Sequence, residues 1–98
     1  MRLKARRGAK AKADELDIWL YVASDSHSAA DRLLDRLGDA VQMLAEFPEA
    51  GRARPDLAAG LRSYPMGQYV IFYTHDASTL HVVRIISSQR DVTSDLFG

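Results

Sequence analysis

At Pro48 the chain changes its period. Before it, apolar residues recur every three or four positions; from residue 61 onward they alternate with polar ones. The first pattern demands helices with one buried stripe, the second demands strands with two distinct faces. A chain that spends its helices first and its strands afterwards is expected to be α+β: a short N-terminal strand, a two-helix hairpin, then an antiparallel three-stranded meander.

Residues 9–23 are Ala-rich, with no internal Gly or Pro. Leu16, Trp19, Leu20 and Ala23 fall at helical spacing and set the expected buried stripe, with Ile18 and Val22 alongside. Asp25 or Ser26 breaks the pattern and offers an N-cap. In the second helix Ala30, Leu33, Leu34, Leu37, Val41 and Leu44 share one stripe, and Asp31, Arg32, Asp35, Arg36 and Asp39 occupy the other faces. Arg32 and Arg36, four positions apart, share a solvated or partner-facing edge. Pro48 ends the helix near Phe47, because the residue before a proline is pushed out of helical geometry. Ahead of both helices, residues 2–7 read as a short edge strand with a weak apolar face from Leu3 and Ala5.

The meander is expected at residues 61–64, 69–75 and 80–86, joined by turns at 65–68 and at Asp76-Ala77-Ser78. Strict alternation sends Tyr69, Ile71 and Tyr73 one way and Val70, Phe72 and Thr74 the other. On the last strand it puts Leu80, Val82, Arg84 and Ile86 on one face, and His81, Val83 and Ile85 on the other. Both faces are apolar, yet one helix pair covers only one of them. The other is expected to meet a partner. Arg62 and Arg84 each place a cation inside an apolar strand pattern, which calls for a counter-charge or a solvent-facing surface. Arg84 is expected either to pair with Asp91 or a C-terminal acid, or to bind a partner.

A length of 98 residues suits a single domain spanning 1–98. There is no cysteine, which excludes disulfides and thiolate metal sites. No apolar run is long enough to span a bilayer, and no signal-peptide core follows the basic start; a cytoplasmic location is expected. The net charge of zero is unevenly spread. Residues 2–12 hold Arg2, Lys4, Arg6, Arg7, Lys10 and Lys12 and no acid; the rest has seven arginines against thirteen acids, a net charge of −6. Such an arm is drawn to nucleic-acid phosphates or an acidic protein surface, or simply stays solvated.

Candidate chemistry is sparse. His27, His75 and His81 lack the spacing of a helical metal pair. Gly51, Gly60 and Gly67 are turn glycines with no phosphate-cradling loop among them. For ribonuclease chemistry the available groups are Arg62, Arg84, Arg90, Tyr64, Tyr73 and His81. Arginine stabilises a phosphorane but is too basic to act as a base, and strand parity sets His81 opposite Arg84. No acid–base constellation is complete.

The order of elements carries a set of short pieces at consistent separations. These are Ala13-Asp14 with Ile18-Trp19 and Tyr21-Val22-Ala23, then Ala29-Ala30-Asp31-Arg32, then Leu44-Ala45-Glu46-Phe47-Pro48 with Gly51-Arg52 and Arg54-Pro55. Gly60-Leu61-Arg62-Ser63, Tyr69-Val70-Ile71-Phe72-Tyr73, Val83-Arg84-Ile85-Ile86 and Arg90-Asp91 follow. Together they resemble the RelE/ParE toxin superfamily, the ParE branch most, over nearly the whole chain. Two positions depart from the family pattern. Glu15 stands between Asp14 and Leu16, and Ser87-Ser88 replaces a His-Gly pair, so no role of that histidine carries over.

The resemblance implies a toxin of a type II toxin–antitoxin pair that acts by binding rather than catalysis. It further implies inhibition of DNA gyrase and neutralisation by a ParD-like antitoxin whose C-terminal segment folds across the groove between helices and sheet. The toxin would then be held in a hetero-oligomer with its antitoxin. No cofactor, metal, catalytic residue or membrane is implied, and nucleic acid is not expected as the primary partner. Arg62, Arg84 and Arg90 are the expected polar anchors for the antitoxin, and Tyr69, Ile71 and Leu80 the apolar ones. A ribosome-dependent mRNA interferase of the RelE type is the alternative on the same fold.

Overall fold

The computed structural model describes residues 2–97. The chain runs β1 (Lys4–Arg7), α1 (Ala9–Ala23), α2 (His27–Glu46), β2 (Arg52–Ala53), β3 (Arg62–Met66), β4 (Tyr69–His75) and β5 (Thr79–Ser87), and closes with a 3-10 turn at Ser94–Phe97. The strands form one mixed sheet in the order β1-β5-β4-β3-β2. The meander β3-β4-β5 is antiparallel, and β1 returns to pair in parallel with β5, Lys4 opposite Thr79 through Arg7 opposite Val82. The α+β arrangement stands, with the two-residue β2 added at the far edge. No helix among the described residues is long and apolar enough to cross a membrane.

The helix boundaries follow from local chemistry. Ser26 opens α2 in extended geometry and its side chain accepts from the Ala29 N–H at 3.2 Å. The helix stops at Glu46, one residue before the position that Pro48 restricts. Its buried side is Ala30, Leu37, Val41, Leu44 and Ala45, with Leu33 and Leu34 half-buried, as the spacing requires. The first helix differs. Its buried residues are Ala11, Ile18 and Ala23, while Leu16, Leu20 and Tyr21 are exposed. Apolar side chains lie all round α1, so periodicity alone does not choose its inward face.

The last strand departs from strict alternation for a specific reason. Phe72 pairs with Arg84 but Tyr73 pairs with Val82, which leaves Val83 as an extra residue on β5. This β-bulge inverts the parity beyond it. Leu80, Val82 and Ile85 therefore face the helices, together with Ile71 and Tyr73. Ile86 packs on the opposite side with Phe72, Leu57 and Leu61. The expected grouping of Leu80, Val82, Arg84 and Ile86 on one face does not survive the bulge.

The second sheet face is covered by the chain itself. Leu57, Ala58 and Leu61 reach it from the loop before β3, and Val92, Leu96 and Phe97 reach it from the C-terminal tail. The rings of Phe72 and Phe97 lie 4.9 Å apart between centroids, tilted by 56°. The expectation of an open apolar sheet face is corrected: segments that carry no regular period close it.

Between α2 and β3 the chain is pinned by one phenol. The Tyr73 hydroxyl donates to the Pro48 carbonyl at 2.7 Å and accepts from the Gly51 N–H at 2.8 Å. Burial pushes its pKa above the ordinary tyrosine value, against the opposing effect of the Gly51 bond. A Cβ at Gly51 would sit 2.5 Å from that hydroxyl and 2.9 Å from the Ser63 carbonyl, so only glycine fits. At the hairpin turn Gly67 has φ +61°, the positive value a II′ turn requires at its first loop residue.

Tyr73→Phe leaves the Gly51 N–H and Pro48 carbonyl without this partner and is expected to cost about 1–3 kcal/mol of unfolding free energy in urea titration. Gly51→Ala is expected to cost a further amount of the same order, about 1–3 kcal/mol, by overpacking the phenol. At the β4–β5 turn Asp76 accepts from the Ser78 and Thr79 N–H groups at 2.9 and 2.8 Å, which lowers its pKa to about 2. A depressed carboxylate stabilises the fold above its unfolded pKa and loses that contribution as pH falls. The protection of the Ser78 and Thr79 amides, taken relative to their intrinsic exchange rates, should therefore be steady above pH ~4 and fall as pH drops towards ~2.

Candidate functional site

The site begins where β1 ends. Beyond Val82 no strand among the described residues lies beside β5 on that edge, because the chain has turned through Gly8 into α1. Asp14, in the second turn of α1, takes the vacant place. Its Oδ2 accepts from the backbone N–H of Ile85 at 2.9 Å. Its two oxygens also accept from Arg84 Nε and Nη2, each at 2.8 Å, a bidentate pair. Arg84 Nη1 donates to the Leu96 carbonyl at 3.1 Å. The two side chains are only 13% and 12% exposed. The hydrogen bonds that Arg84 donates to Asp14 raise its pKa above the ordinary value, outweighing burial. The expected partner of Arg84, Asp91 or another C-terminal acid, is thus corrected to Asp14, seventy residues upstream; the C-terminal tail contributes a carbonyl instead.

Against this pair lies a cleft of about 500 Å³. Asp14, Asp17, Ile18 and Tyr21 of α1 form one wall, Gln68 and Tyr69 of the hairpin another, and Ile85 to Ser87 with Gln89 and Arg90 the third. A second hollow of about 310 Å³ shares Tyr21, Gln68 and Tyr69 and continues to Leu33 and Arg36 of α2. The Arg36 guanidinium stands next to Gly67, where a Cβ would come within 3.3 Å of Nη2. The result is one groove with two tyrosines along it and an arginine towards each end. On the solvent side of α1 the apolar surface extends from Tyr21, 78% exposed, to Leu20 and Leu16, 55% and 59% exposed.

Of the residues singled out from the sequence, the groove collects Tyr69 and Arg90, with Arg84 held behind it by Asp14. Arg62 lies elsewhere: its Nη1 donates to the Gly51 carbonyl at 2.7 Å and to the Glu49 carbonyl at 3.4 Å, beside Tyr73. Ile71 and Leu80 are fully buried in the core between helices and sheet. They present no surface to a partner, because β4 alternation and the β5 bulge both turn them inward. Sequence reasoning missed Tyr21, Asp14, Asp17 and Gln68. The available signal was an excess of apolar residues on α1 over what a single stripe needs.

The groups weighed for ribonuclease chemistry do not converge. The Tyr73 hydroxyl is committed to backbone partners, Arg84 to Asp14, and His81 stands on another part of β5 with its Nε2 3.6 Å from Asp76. Among the described residues no group of three His, Cys, Asp or Glu side chains is placed to hold a metal ion.

Removing one member of a buried ion pair strands the other charge. Asp14→Ala is expected to destabilise the chain by about 3–5 kcal/mol and to expose the Ile85 amide to exchange. Asp17→Ala, on the exposed lip of the same helix, is expected to change stability by less than about 0.5 kcal/mol in the same denaturation experiment.

The family model described as the ParE toxin of the type II toxin–antitoxin system parDE matches residues 7–92. Among curated proteins the chain is similar to Toxin ParE1 of Caulobacter vibrioides, 29% identical over 94 residues that cover 93% of this chain and 95% of that protein. It is also similar to Toxin ParE3 of the same organism, 27% identical over 67 residues, covering 68% and 67%. Among solved structures a chain of the chromosomal ParDE TA system from P. aeruginosa superposes with a TM-score of 0.73 at 19% identity, covering 88% of this chain and 96% of that one. That likeness speaks to the fold. The match of the family model to most of the length decides the rest: the chain belongs to the ParE toxin family of parDE type II toxin–antitoxin systems.

Proposed function

We propose that this ParE toxin acts by binding, inhibits DNA gyrase by stabilising its cleaved DNA complex, and is neutralised by a ParD-like antitoxin in a hetero-oligomer. The carrying observation is the groove itself. It combines exposed apolar surface on α1, two tyrosines and an arginine near each end. Such a surface suits an amphipathic, acidic segment that orders on binding, the chemistry expected of an antitoxin's C-terminal tail. Tyr69 and Arg90 are the anchors proposed within the groove, joined by Tyr21 and Arg36. Arg84 supports it through Asp14, and Arg62 serves a separate contact on the β2 side. A non-enzymatic toxin at this site needs no cofactor, and both proposed partners act in the cytoplasm.

A supercoiling assay with the purified chain, released from its partner, tests the target. Loss of supercoiling with accumulating linear DNA is the expected result. Full gyrase activity beside a folded chain, with ribosome-dependent mRNA cleavage, would replace this reading with the interferase one. For the antitoxin, Arg90→Glu is expected to weaken binding of the C-terminal segment at least about tenfold, equivalent to about 1.4 kcal/mol, by isothermal titration.

A further inference from the structure

We propose that the outward face of β1, with the hollow where it meets the start of α1, docks the phosphate backbone of duplex DNA. The inference does not rest on the proposed gyrase target, and the surface shares no residue with the groove between Tyr69 and Arg90.

Three observations carry it. The first is charge: residues 2–12 hold six cations and no acid, against a net −6 for the remainder of the chain. The second is placement. β1 is the edge strand of the sheet, and its alternation turns Leu3 and Ala5 into the core while Lys4 and Arg6 face solvent. Arg2 and Arg7 are engaged by Glu46 and Glu15, whereas no ion pair among the described residues holds Lys4 or Arg6. Arg6 stands level with His81 across the parallel ladder. Between them and the start of α1 lies a hollow of about 440 Å³ whose rim includes Arg7 and Lys10. The Asp76 carboxylate adjoins this surface: its Oδ1 accepts from the Ser78 and Thr79 amides, and its Oδ2 lies 3.6 Å from His81 Nε2.

The third observation separates nucleic acid from an acidic protein. Protein interfaces draw most of their affinity from aromatic and arginine anchors buried in well-packed pockets. Among the described residues the large exposed apolar side chains are Leu16, Leu20, Tyr21 and Phe47, and none lines this hollow. A surface of cations without apolar anchors gains its affinity by releasing counterions from phosphates. Binding of this kind is independent of base sequence and steep in salt.

Fluorescence anisotropy of a labelled duplex DNA with the full chain, between about 50 and 200 mM salt, tests the assignment. The wild-type chain is expected to bind at low salt, with log K falling against log salt by about 0.9 for each phosphate contacted. Lys4→Gln with Arg6→Gln removes two exposed cations without touching the core. It is expected to lower affinity at least about tenfold and to flatten the salt slope by about two, at unchanged thermal stability. No binding at low salt, or a slope that the double variant leaves unaltered, overturns the proposal. Tighter binding of a duplex RNA of the same sequence overturns the assignment to DNA, and equal competition by a polyglutamate peptide overturns the assignment to nucleic acid.

Discussion

The bidentate contact between Asp14 and Arg84 ties the first helix to the last strand, and much of the molecule's surface follows from it. Once β1 leaves β5 at Val82, the Ile85 amide needs an acceptor and the Arg84 guanidinium needs a counter-charge. One carboxylate supplies both. That requirement sets the rotation of α1 about its axis, because a turn that removed Asp14 would strand a buried cation at a cost of several kcal/mol, on the order of 3–5. With the rotation set, Ala11 and Ile18 go inward and Leu16, Leu20 and Tyr21 stay outside. The apolar strip that a partner can use is a consequence of an electrostatic demand elsewhere.

The sheet illustrates a second constraint. The twisted mixed sheet has two apolar faces, and only one meets the helix hairpin. The other is closed by irregular chain: the loop carrying Leu57 and the tail carrying Leu96 and Phe97. The tail does double duty, since the Leu96 carbonyl also accepts from Arg84. Closure of the second face moves the question of a binding surface from the sheet to α1 and the hairpin tip.

The arginines divide accordingly. Arg84 is committed to Asp14, Arg62 to carbonyls of the Gly51 turn, and Arg54 to Asp56, with its guanidinium 6.0 Å over the Phe72 ring. These hold loops and tail in place. Arg36 and Arg90 lie at the groove, and Lys4 and Arg6 on the β1 edge, where they remain accessible. Accessible charge of this kind at a rim suits a contact surface, whereas a nuclease needs its charges gathered at one point.

Period alone determined a good deal. The change at Pro48, a cap at Asp25 or Ser26, the α2 stripe and the strands of the meander were all legible, because each depends on residues within a few positions of one another. The resemblance that names the family was legible for a similar reason: short pieces in a consistent order. Tyr69 and Arg90, singled out from the sequence, do line the groove, but Ile71 and Leu80 could not be recognised as core. The tertiary structure decided that, together with the partner of Arg84, the bulge at Val83, the inward face of α1 and the cover on the second sheet face. Each of these is settled by contacts between residues far apart in sequence, seventy in the case of Asp14 and Arg84. A periodic pattern reports which residues can share a face; only the assembled chain determines which face is turned inward, because that choice is made by whatever packs against it.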